Sequence, residues 1–403
     1  MMTVGIKYIS YANSSGYGLA AVAYLRGLHN AGVPVWWQPS FLGSPADTTW
    51  RPEHGLPQLP LARAAAGGDS ALADLPALAH GLTRKIPYDT VIMHTVPEHW
   101  PRLAEPGKRN IGYTVWETDA LPRHWPPLLA TADKVLVPCA MNVSIFSQGG
   151  VANVSAVPHI RRHAWNTVTA DEKMSLRRTL GIPDDHFVFY TIGVWDPRKA
   201  IVDLVALFAR QFSGSDKVTL LIKTSATPSS FAIDAQPGAS IPALVRAIVD
   251  AAQAATNRSA ASIALLAADD ISGRTIDVLH SVGDCYISLT HGEGWGLGAY
   301  EAATLGKPII ITGWGGQLDY LGADYPGLID YSMQPVSGWR PDASYQATQR
   351  WAIADGQRAG QLMRRMVARY MDQLDAATLT RERIINRFAE PIVTRQLLAA
   401  IHG

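Results

Sequence analysis

The chemically richest stretch of the chain is a glycine-rich segment that runs from His291 to Glu301, with the sequence HGEGWGLGAYE. It directly follows the apolar run Cys285–Leu289, so it is predicted to connect a buried strand to a helix that begins near Leu297. Backbone amides at the N-terminus of a helix favour anions and bind phosphate. The amides expected to do so belong to Gly294, Trp295, Gly296 and Leu297.

Two carboxylates, Glu293 and Glu301, lie eight residues apart in this segment, which is about two turns of a helix. Carboxylates are poor ligands for phosphate, but they accept hydrogen bonds from hydroxyl groups. The pair therefore favours a site where a sugar or a ribose lies beside the phosphate. The alternative is an ordinary strand–loop–helix connection in which a glutamate caps the helix.

Positive charge that could neutralise a diphosphate follows two other apolar runs. Arg198 and Lys199 come after the run Phe187–Gly193, and Lys223 lies near the end of the run Val218–Thr224. Charge-assisted hydrogen bonds from such cations hold phosphate oxygens. The alternatives are a solvated basic turn for the first pair and a surface lysine with a buried stem for Lys223.

The N-terminal half of the chain offers weaker signals. Gly16-Tyr17-Gly18 opens the first predicted helix and could let the backbone approach a phosphate, although it is not a full dinucleotide fingerprint. His94 and Glu117 follow two strand candidates, and both are expected to project into a cleft. Glu117 could contact a transferred sugar, orient an acceptor, or only brace its loop. His94 could equally be a core histidine with satisfied hydrogen bonds.

Composition narrows the class of protein. A chain of 403 residues with 47% hydrophobic and 17% charged residues suits two folded domains. The formal net charge of +1 gives no field that would attract nucleic acid or an anionic membrane. The sequence contains no Asp-x-Asp pair, no zinc-ligand spacing and no Gly-x4-Gly-Lys phosphate loop, so neither a metal nor a bound cofactor is expected.

The cellular location is also constrained. Cys139 and Cys285 lie at the edges of apolar runs and are predicted to be free thiols, as is usual in cytosolic proteins. The first residues leave no room for a signal peptide, and no apolar stretch is long enough to span a bilayer. We expect a cytoplasmic protein, and peripheral contact with the inner face of the membrane stays open.

Apolar runs alternate with helical patterns along most of the chain, which predicts an α/β protein with parallel sheets covered on both faces. The strand candidates are Val4–Ser10, Pro34–Gln38, Thr90–Thr95, Asn110–Val115, Lys134–Cys139, Val154–Pro158, Phe187–Gly193, Val218–Thr224, Ser262–Ala268, Cys285–Leu289 and Pro308–Thr312. Helices are predicted at Gly18–Ala31, His124–Ala132, Met141–Ser147, Asp171–Leu180 and Thr378–Ile401.

The series restarts after a polar stretch between Arg161 and His186, so we place the boundary between two doubly wound domains near residues 160–170. The N-terminal domain is predicted to span residues 1–165 with a returning helix at 378–403, and the C-terminal domain residues 166–377. Residues 40–79 are rich in Pro, Gly and Ala and are predicted to form a long loop insertion.

These motifs together resemble the retaining glycosyltransferases of the large group-1 family, which have the GT-B fold of two facing Rossmann-like domains. The resemblance covers nearly the whole chain and is strongest at the Glu293-x7-Glu301 motif. Its other elements are Gly306-Lys307-Pro308, Trp314-Gly315-Gly316, Ser15-Gly16-Tyr17-Gly18, Gly193–Lys199, Asp133–Pro138 and Val157-Pro158-His159.

The resemblance implies a division of labour. In that family the C-terminal domain holds a nucleotide sugar, the N-terminal domain holds the acceptor, and the last helix crosses back. It implies that Arg198 and Lys199 neutralise the diphosphate, that Glu293 holds the transferred sugar and that Glu301 holds the ribose. Trp116-Glu117 replaces the family's usual histidine.

The implied activity is metal-independent, retaining transfer of a hexose from a UDP- or GDP-sugar to a glycan, a lipid-linked acceptor or another hydroxyl. Two other classes remain open. One is a nucleotide-sugar epimerase with the same fold, and the other is a non-catalytic protein that binds sugar nucleotides or glycans.

Overall fold

The computed structural model describes residues 5–40, 74–162, 164–233, 240–269, 271–340 and 344–403. Most of the predicted insertion at residues 40–79 lies outside these ranges. Within them the chain forms two parallel sheets, each covered by helices.

The N-terminal sheet has the strand order β2-β1-β3-β4-β5-β6, and every pair in it is parallel. Its strands are β1 (Gly5–Tyr11), β2 (Val35–Ser40), β3 (Tyr88–His94), β4 (Arg109–Tyr113), β5 (Lys134–Val137) and β6 (Val154–Ala156). The helices around it are α1 (Gly16–Asn30), α2 (Leu75–Leu82), α3 (Trp100–Leu103), α4 (Trp125–Leu129) and α5 (Ala140–Gln148), with a 3-10 turn at Pro97–His99.

The C-terminal sheet has the order β12-β11-β10-β7-β8-β9 and is also parallel. Its strands are β7 (Phe187–Ile192), β8 (Val218–Thr224), β9 (Ser262–Ala267), β10 (Cys285–Ser288), β11 (Ile309–Thr312) and β12 (Leu328–Ile329). The helices are α6 (Ala170–Thr179), α7 (Ile201–Gln211), α8 (Ile241–Thr256), α9 (Gly273–Val282), α10 (Leu297–Thr304), α11 (Leu318–Leu321), α12 (Gly356–Ala368) and α13 (Tyr370–Arg387).

Each predicted strand is present with bounds within two residues of the prediction, and the α/β fold class is confirmed. Most of the strand residues are buried, as in β5 and β10, where every residue is buried. Such strands lack an exposed face and produce continuous apolar runs in the sequence.

An antiparallel pair of strands was not predicted. It joins β13 (Tyr331–Pro335) to β14 (Arg350–Ala354) and extends the C-terminal domain after β12. Four of the five residues in β13 are exposed, so this strand carries no apolar run that would mark it.

The predicted helix Thr378–Ile401 is two helices. Helix α13 ends at Arg387 and packs in the C-terminal domain, whereas α14 (Glu390–His402) packs on α1 of the N-terminal domain. Pro391 lies in the first turn of α14, where a missing amide costs no hydrogen bond. The helix that crosses back therefore begins at Glu390.

Candidate active site

The two loops that carry the strongest motifs are neighbours because their strands pair. Strand β10 pairs with β7, so the loops that follow them emerge at the same edge of the sheet. There Lys199 Nζ lies 2.6 Å from Glu293 Oε1, and Arg198 Nη1 lies 3.2 Å from Glu293 Oε2. Residues nearly one hundred positions apart thus form one ionic cluster.

Glu293 is the centre of this cluster and is 7% exposed. Burial raises the pKa of its carboxyl, but Lys199 and Arg198 outweigh that effect and hold the pKa below its ordinary value. Glu293 is therefore ionised at neutral pH. Each of its two oxygens already contacts a cation. A sugar hydroxyl that reached Glu293 would therefore donate to an oxygen that also accepts from Lys199 or Arg198.

Arg198 lies deeper than Lys199 and has structural partners on several sides. Its Nη1 also donates to the carbonyl of Gly292 at 2.7 Å, and its Nη2 lies 4.0 Å from Glu117 Oε1. The side chain of Arg198 is 11% exposed and that of Lys199 is 20% exposed. Of the two predicted diphosphate ligands, Lys199 is the more accessible.

The glycines of the loop allow close contact between the domains. A Cβ on Gly292 would lie 2.0 Å from the carbonyl oxygen of Glu117, and one on Gly294 would lie 1.6 Å from Val115 Cγ2. No side chain fits in either place. Part of the reason for glycine here is contact with the N-terminal domain, which the sequence did not indicate.

Helix α10 begins at Leu297, where the sequence placed it, after Gly296 with a φ of +83°. No described residue accepts a hydrogen bond from the amides of Leu297, Gly298 or Ala299. A Cβ on Gly16 would lie 3.4 Å from Leu297 Cδ1, so the first glycine loop faces this helix N-terminus from the other domain. The two predicted phosphate loops therefore lie opposite each other.

The rest of the first glycine loop has structural contacts. Ser15 caps α1 by accepting from the Gly18 amide, and a Cβ on Gly18 would lie 2.0 Å from the Asn13 carbonyl oxygen. The Tyr17 hydroxyl lies 2.9 Å from Thr114 Oγ1 at the end of β4. Gly18 and Tyr17 thus fix the loop against its own domain, and Gly16 is left at the surface of the cleft.

Glu301 lies about one turn into α10 and lines a cleft between α1, the interdomain linker and α10. Its Oε2 lies 3.4 Å from His280 Nε2, and His280 Nδ1 lies 2.9 Å from the Tyr190 hydroxyl. Burial raises the pKa of the Glu301 carboxyl, but His280 and Arg162 bring it below the ordinary value. A carboxylate is thus oriented into the interdomain cleft.

Glu117 joins the ionic cluster from the N-terminal domain. Besides its approach to Arg198, its Oε2 accepts a hydrogen bond of 2.9 Å from the Tyr345 hydroxyl. Burial raises the pKa of the Glu117 carboxyl, and Arg198 offsets this only in part. Sequence reasoning did not find Tyr345.

His94 lies in a buried aromatic cluster. Its Nδ1 is 2.8 Å from the Tyr8 hydroxyl, and its ring lies 4.3 Å from that of Tyr113. Burial and the nearby His159 hold the pKa of His94 well below its ordinary value. His94 therefore has the surroundings expected of a core histidine with satisfied hydrogen bonds, and it lies outside the ionic cluster around Glu293.

Trp295 and Lys223, which were also predicted to bind the nucleotide sugar, differ in their surroundings. Trp295 is 3% exposed and packs against His159, Tyr320 and Phe388, so its ring contributes to packing between the domains. Lys223 is the second-last residue of β8. Burial lowers the pKa of its ammonium group, and Asp269 opposes that effect. Cys139 and Cys285 are both free and buried.

None of the described helices is both long and apolar enough to cross a membrane. In the same part of the chain no group of three or more His, Cys, Asp or Glu side chains is arranged to hold a metal ion.

The paired parallel sheets, the cleft between them and the returning last helix define the GT-B fold, as the comparisons show. No protein-family model matches the chain, and a search of curated proteins finds no match. Among solved structures, a glycosyltransferase from Rickettsia africae matches with a TM-score of 0.63 and 11% identity, over 100% of this chain and 98% of that one.

Two further solved structures match over almost their whole length. Sucrose-phosphate synthase from Thermosynechococcus elongatus has a TM-score of 0.59 and 16% identity, over 98% of this chain and 100% of that one. HepE from Anabaena, in complex with UDP and glucose, has a TM-score of 0.59 and 14% identity, over 99% of both chains. These likenesses establish the shared fold.

Proposed function

We propose that the protein is a retaining glycosyltransferase of the group-1 type that transfers a hexose from a nucleoside diphosphate sugar to a hydroxyl acceptor. The observation that carries this proposal is the cluster of Lys199, Arg198 and Glu293 beside the N-terminus of α10. It combines cations, unpaired amides and a carboxylate within one edge of a sheet, where ligands bind in this class of fold.

The leaving diphosphate needs stabilisation because negative charge grows on it as its bond to the sugar breaks. Lys199 and the amides of Leu297 and Gly298 would supply this, with Gly16 approaching from the opposite wall. Glu301 would hold the ribose in the interdomain cleft, and Glu293 would hold hydroxyl groups of the transferred sugar. These roles need no divalent metal or cofactor.

In the transfer step, the bond between sugar C1 and the phosphate oxygen breaks, and its electron pair leaves with the diphosphate. The acceptor oxygen forms the new bond to C1 on the same face, and its proton passes to the departing phosphate oxygen. No covalent intermediate with the protein is needed. This route fits a site in which both acids near the sugar are engaged by cations.

The donor and acceptor are proposed by class. UDP-sugars come first among donors because the similar HepE structure holds UDP and glucose, and GDP-sugars come second. For the acceptor we propose a glycan, a lipid-linked glycan or another hydroxyl compound that binds on the Glu117 side. The reaction would take place in the cytoplasm, with peripheral access to the inner face of a membrane.

A donor panel tests the proposal and its competitors. Thermal shifts are measured with UDP-, GDP-, ADP- and dTDP-sugars, since a ligand that binds the folded state raises its stability by mass action. The stabilising donors are then incubated with and without acceptors, and the nucleoside diphosphate and the anomeric configuration of the product are measured. Transfer with retained configuration, or slow donor hydrolysis, is expected. An epimerised donor, or binding without turnover, would replace the proposal with one of the alternatives.

A further inference from the structure

Residues 344–350, which lead into β14 of the C-terminal domain, make a further contact between the domains beside the ionic cluster. The Arg350 amide donates to Asp119 Oδ1 at 2.6 Å, and the Asp119 amide donates to the Arg350 carbonyl at 2.9 Å. Ser344 Oγ lies 3.3 Å from Glu98 Oε1. This segment is therefore held against the N-terminal domain at several points.

The ring of Tyr345 is fixed within this contact. It stacks on Trp116 of the N-terminal domain, with ring centres 4.9 Å apart and planes 20° apart. It also stacks on Trp339 of the C-terminal domain, at 4.6 Å and 22°. Because the ring is stacked on two tryptophans, its role in packing is separate from that of its hydroxyl, which is the group that reaches the site.

That hydroxyl donates a hydrogen bond of 2.9 Å to Glu117 Oε2. The other oxygen of Glu117 points to Arg198 Nη2 at 4.0 Å, and Arg198 in turn binds Glu293. A chain of contacts thus leads from Tyr345 through Glu117 and Arg198 to the predicted sugar-binding carboxylate. The first and third members belong to the C-terminal domain, and the second belongs to the N-terminal domain.

We propose that Tyr345 is a positioning residue that holds the Glu117 carboxylate beside Arg198, so that the acceptor side of the site is complete only when residues 344–350 are docked on the N-terminal domain. This inference rests on the proposed transferase function and deepens it. Glu117 would touch the acceptor or the transferred sugar, and Tyr345 would act only through Glu117.

The pKa of Glu117 distinguishes the proposed role of the Tyr345 hydroxyl from a role of Tyr345 in packing alone, because loss of packing would not change that pKa in a defined direction. The groups that act on it come from each element packed against it: Arg198, Lys199, Glu293, Tyr345, Tyr17 and Cys139. Burial raises the pKa of Glu117, whereas the hydrogen bond from Tyr345 lowers it. Removal of the hydroxyl should therefore raise this pKa further.

The test compares Tyr345→Phe, which keeps the stacked ring, with Tyr345→Ala, which does not. The exposed Tyr331 in β13 provides a matched control, Tyr331→Phe. With UDP-glucose or the donor that the panel selects, Tyr345→Phe should lower kcat about tenfold with an unchanged donor KM. The acidic limb of its pH–rate profile should move to higher pH. Wild-type kcat and pH profile in Tyr345→Phe would overturn the proposal, even if Tyr345→Ala were inactive.

A double-mutant cycle separates this proposal from the proposed function. The free energies of unfolding are measured for wild type, Tyr345→Phe, Glu117→Gln and the double variant, since residues in direct contact give non-additive effects. Additive effects would overturn the inference whether or not the enzyme turns over. A wild-type protein that releases no nucleoside diphosphate from any donor would overturn the proposed function and the catalytic purpose of the contact together.

Discussion

The two walls of the interdomain cleft differ in charge. The C-terminal wall carries Arg198, Lys199, Glu293 and Glu301, and the pKa of each of its two acids is lowered from the ordinary value by nearby cations and hydrogen-bond donors. Behind the N-terminal wall lies a buried cluster of neutral groups, among them Tyr8, Tyr24, Tyr113, His94 and His159. Burial lowers the pKa of His159 to about 3. Glu117 is the one acid that the N-terminal wall adds to the ionic cluster within the described residues.

This contrast shows what each wall has to do in the proposed reaction. Charge develops on the leaving diphosphate, so the wall that holds it needs fixed cations and amides. The acceptor arrives as an uncharged hydroxyl, so the opposite wall can be neutral and well packed. The following predictions test this contrast, beginning with the largest expected effect.

Removal of the central carboxylate should cost the most. Glu293→Gln breaks the buried ion pairs with Arg198 and Lys199 and removes a charged acceptor for sugar hydroxyls, which together are worth about 3–5 kcal/mol. We expect kcat to fall by at least about a hundredfold. Steady-state kinetics measure it, with the exposed Glu382→Gln as the control. Normal transfer by Glu293→Gln would contradict the assignment of the site.

Removal of one cation should cost less. Lys199→Ala loses a charge-assisted contact to the diphosphate, about 1.5–3 kcal/mol. Because this contact strengthens in the transition state, kcat should fall about tenfold to a hundredfold, more than donor affinity does. Arg198→Ala should lower kcat similarly and also disturb the loop at Gly292.

The control for the cations is Lys217→Ala, at a lysine whose side chain is 72% exposed. It should behave as wild type. Unchanged kcat in Lys199→Ala with only a modest rise in KM would show that residues 198 and 199 form a basic turn and do not contact the diphosphate.

The two acids should separate in binding experiments. Glu301→Ala should weaken the free nucleoside diphosphate and the intact donor alike, by about tenfold, because it would reach only the ribose. Glu293→Gln should spare the free diphosphate and weaken the intact donor. Isothermal titration calorimetry on both variants decides this, provided that their melting temperatures match wild type. Identical profiles would mean that the motif is not divided in this way.

The neutral wall should make the fold sensitive to acid. His94 and His159 take up protons below about pH 6.5 in the unfolded chain but only at much lower pH in the folded protein. The free energy of unfolding should therefore fall as the pH drops from 6.5, by up to about 1.4 kcal/mol per pH unit for each histidine, until the folded pKa is reached.

Urea unfolding between pH 7 and pH 4 measures this dependence. The slope should be smaller in His159→Gln, and it should be unchanged in the control His80→Gln, at an exposed position. Equal slopes in wild type and His159→Gln would contradict the burial of a neutral histidine.

The smallest expected effect is none. Donor turnover should not change in excess EDTA after dialysis, since Lys199 and backbone amides are proposed to do the work of a cation. A loss of activity that Mn²⁺ or Mg²⁺ restores would mean that the leaving group is held by a metal after all.

The parts that sequence could predict are those whose signal is local. Most residues in the strands of both sheets are buried, as in β5 and β10, and the glycine-rich motif places its acids at fixed positions along one loop and one helix. The antiparallel pair of β13 and β14 was not predicted. Strand β13 is mostly exposed, so its sequence has no alternation of apolar and polar residues that would mark a strand. The break before α14 had a local signal that the prediction of one helix overlooked, because Pro391 fits the first turn of a helix and not the interior of a continuous one.

The parts that sequence could not predict depend on distant contacts. Tyr345 lies 228 positions from Glu117, and no motif links the two. The pairing of Arg198 with Glu293 follows from the adjacency of β7 and β10, which only the sheet order reveals. The close approach of Gly292 and Gly294 to residues 115–117 needs both domains in place.

The path of helix α14 determines which part of the gene could be exchanged with that of a relative. This helix packs on α1, where Asn30 Nδ2 donates to Glu390 at 2.7 Å and Gly27 leaves room for Thr394. The linker and the end of α13 are joined by a bond of 2.9 Å from the Arg161 amide to the Phe388 carbonyl. A chimera that replaced everything after the linker would give α1 a foreign partner. The part that can be exchanged with a relative therefore ends at Arg387, and the last helix must be kept with the N-terminal domain.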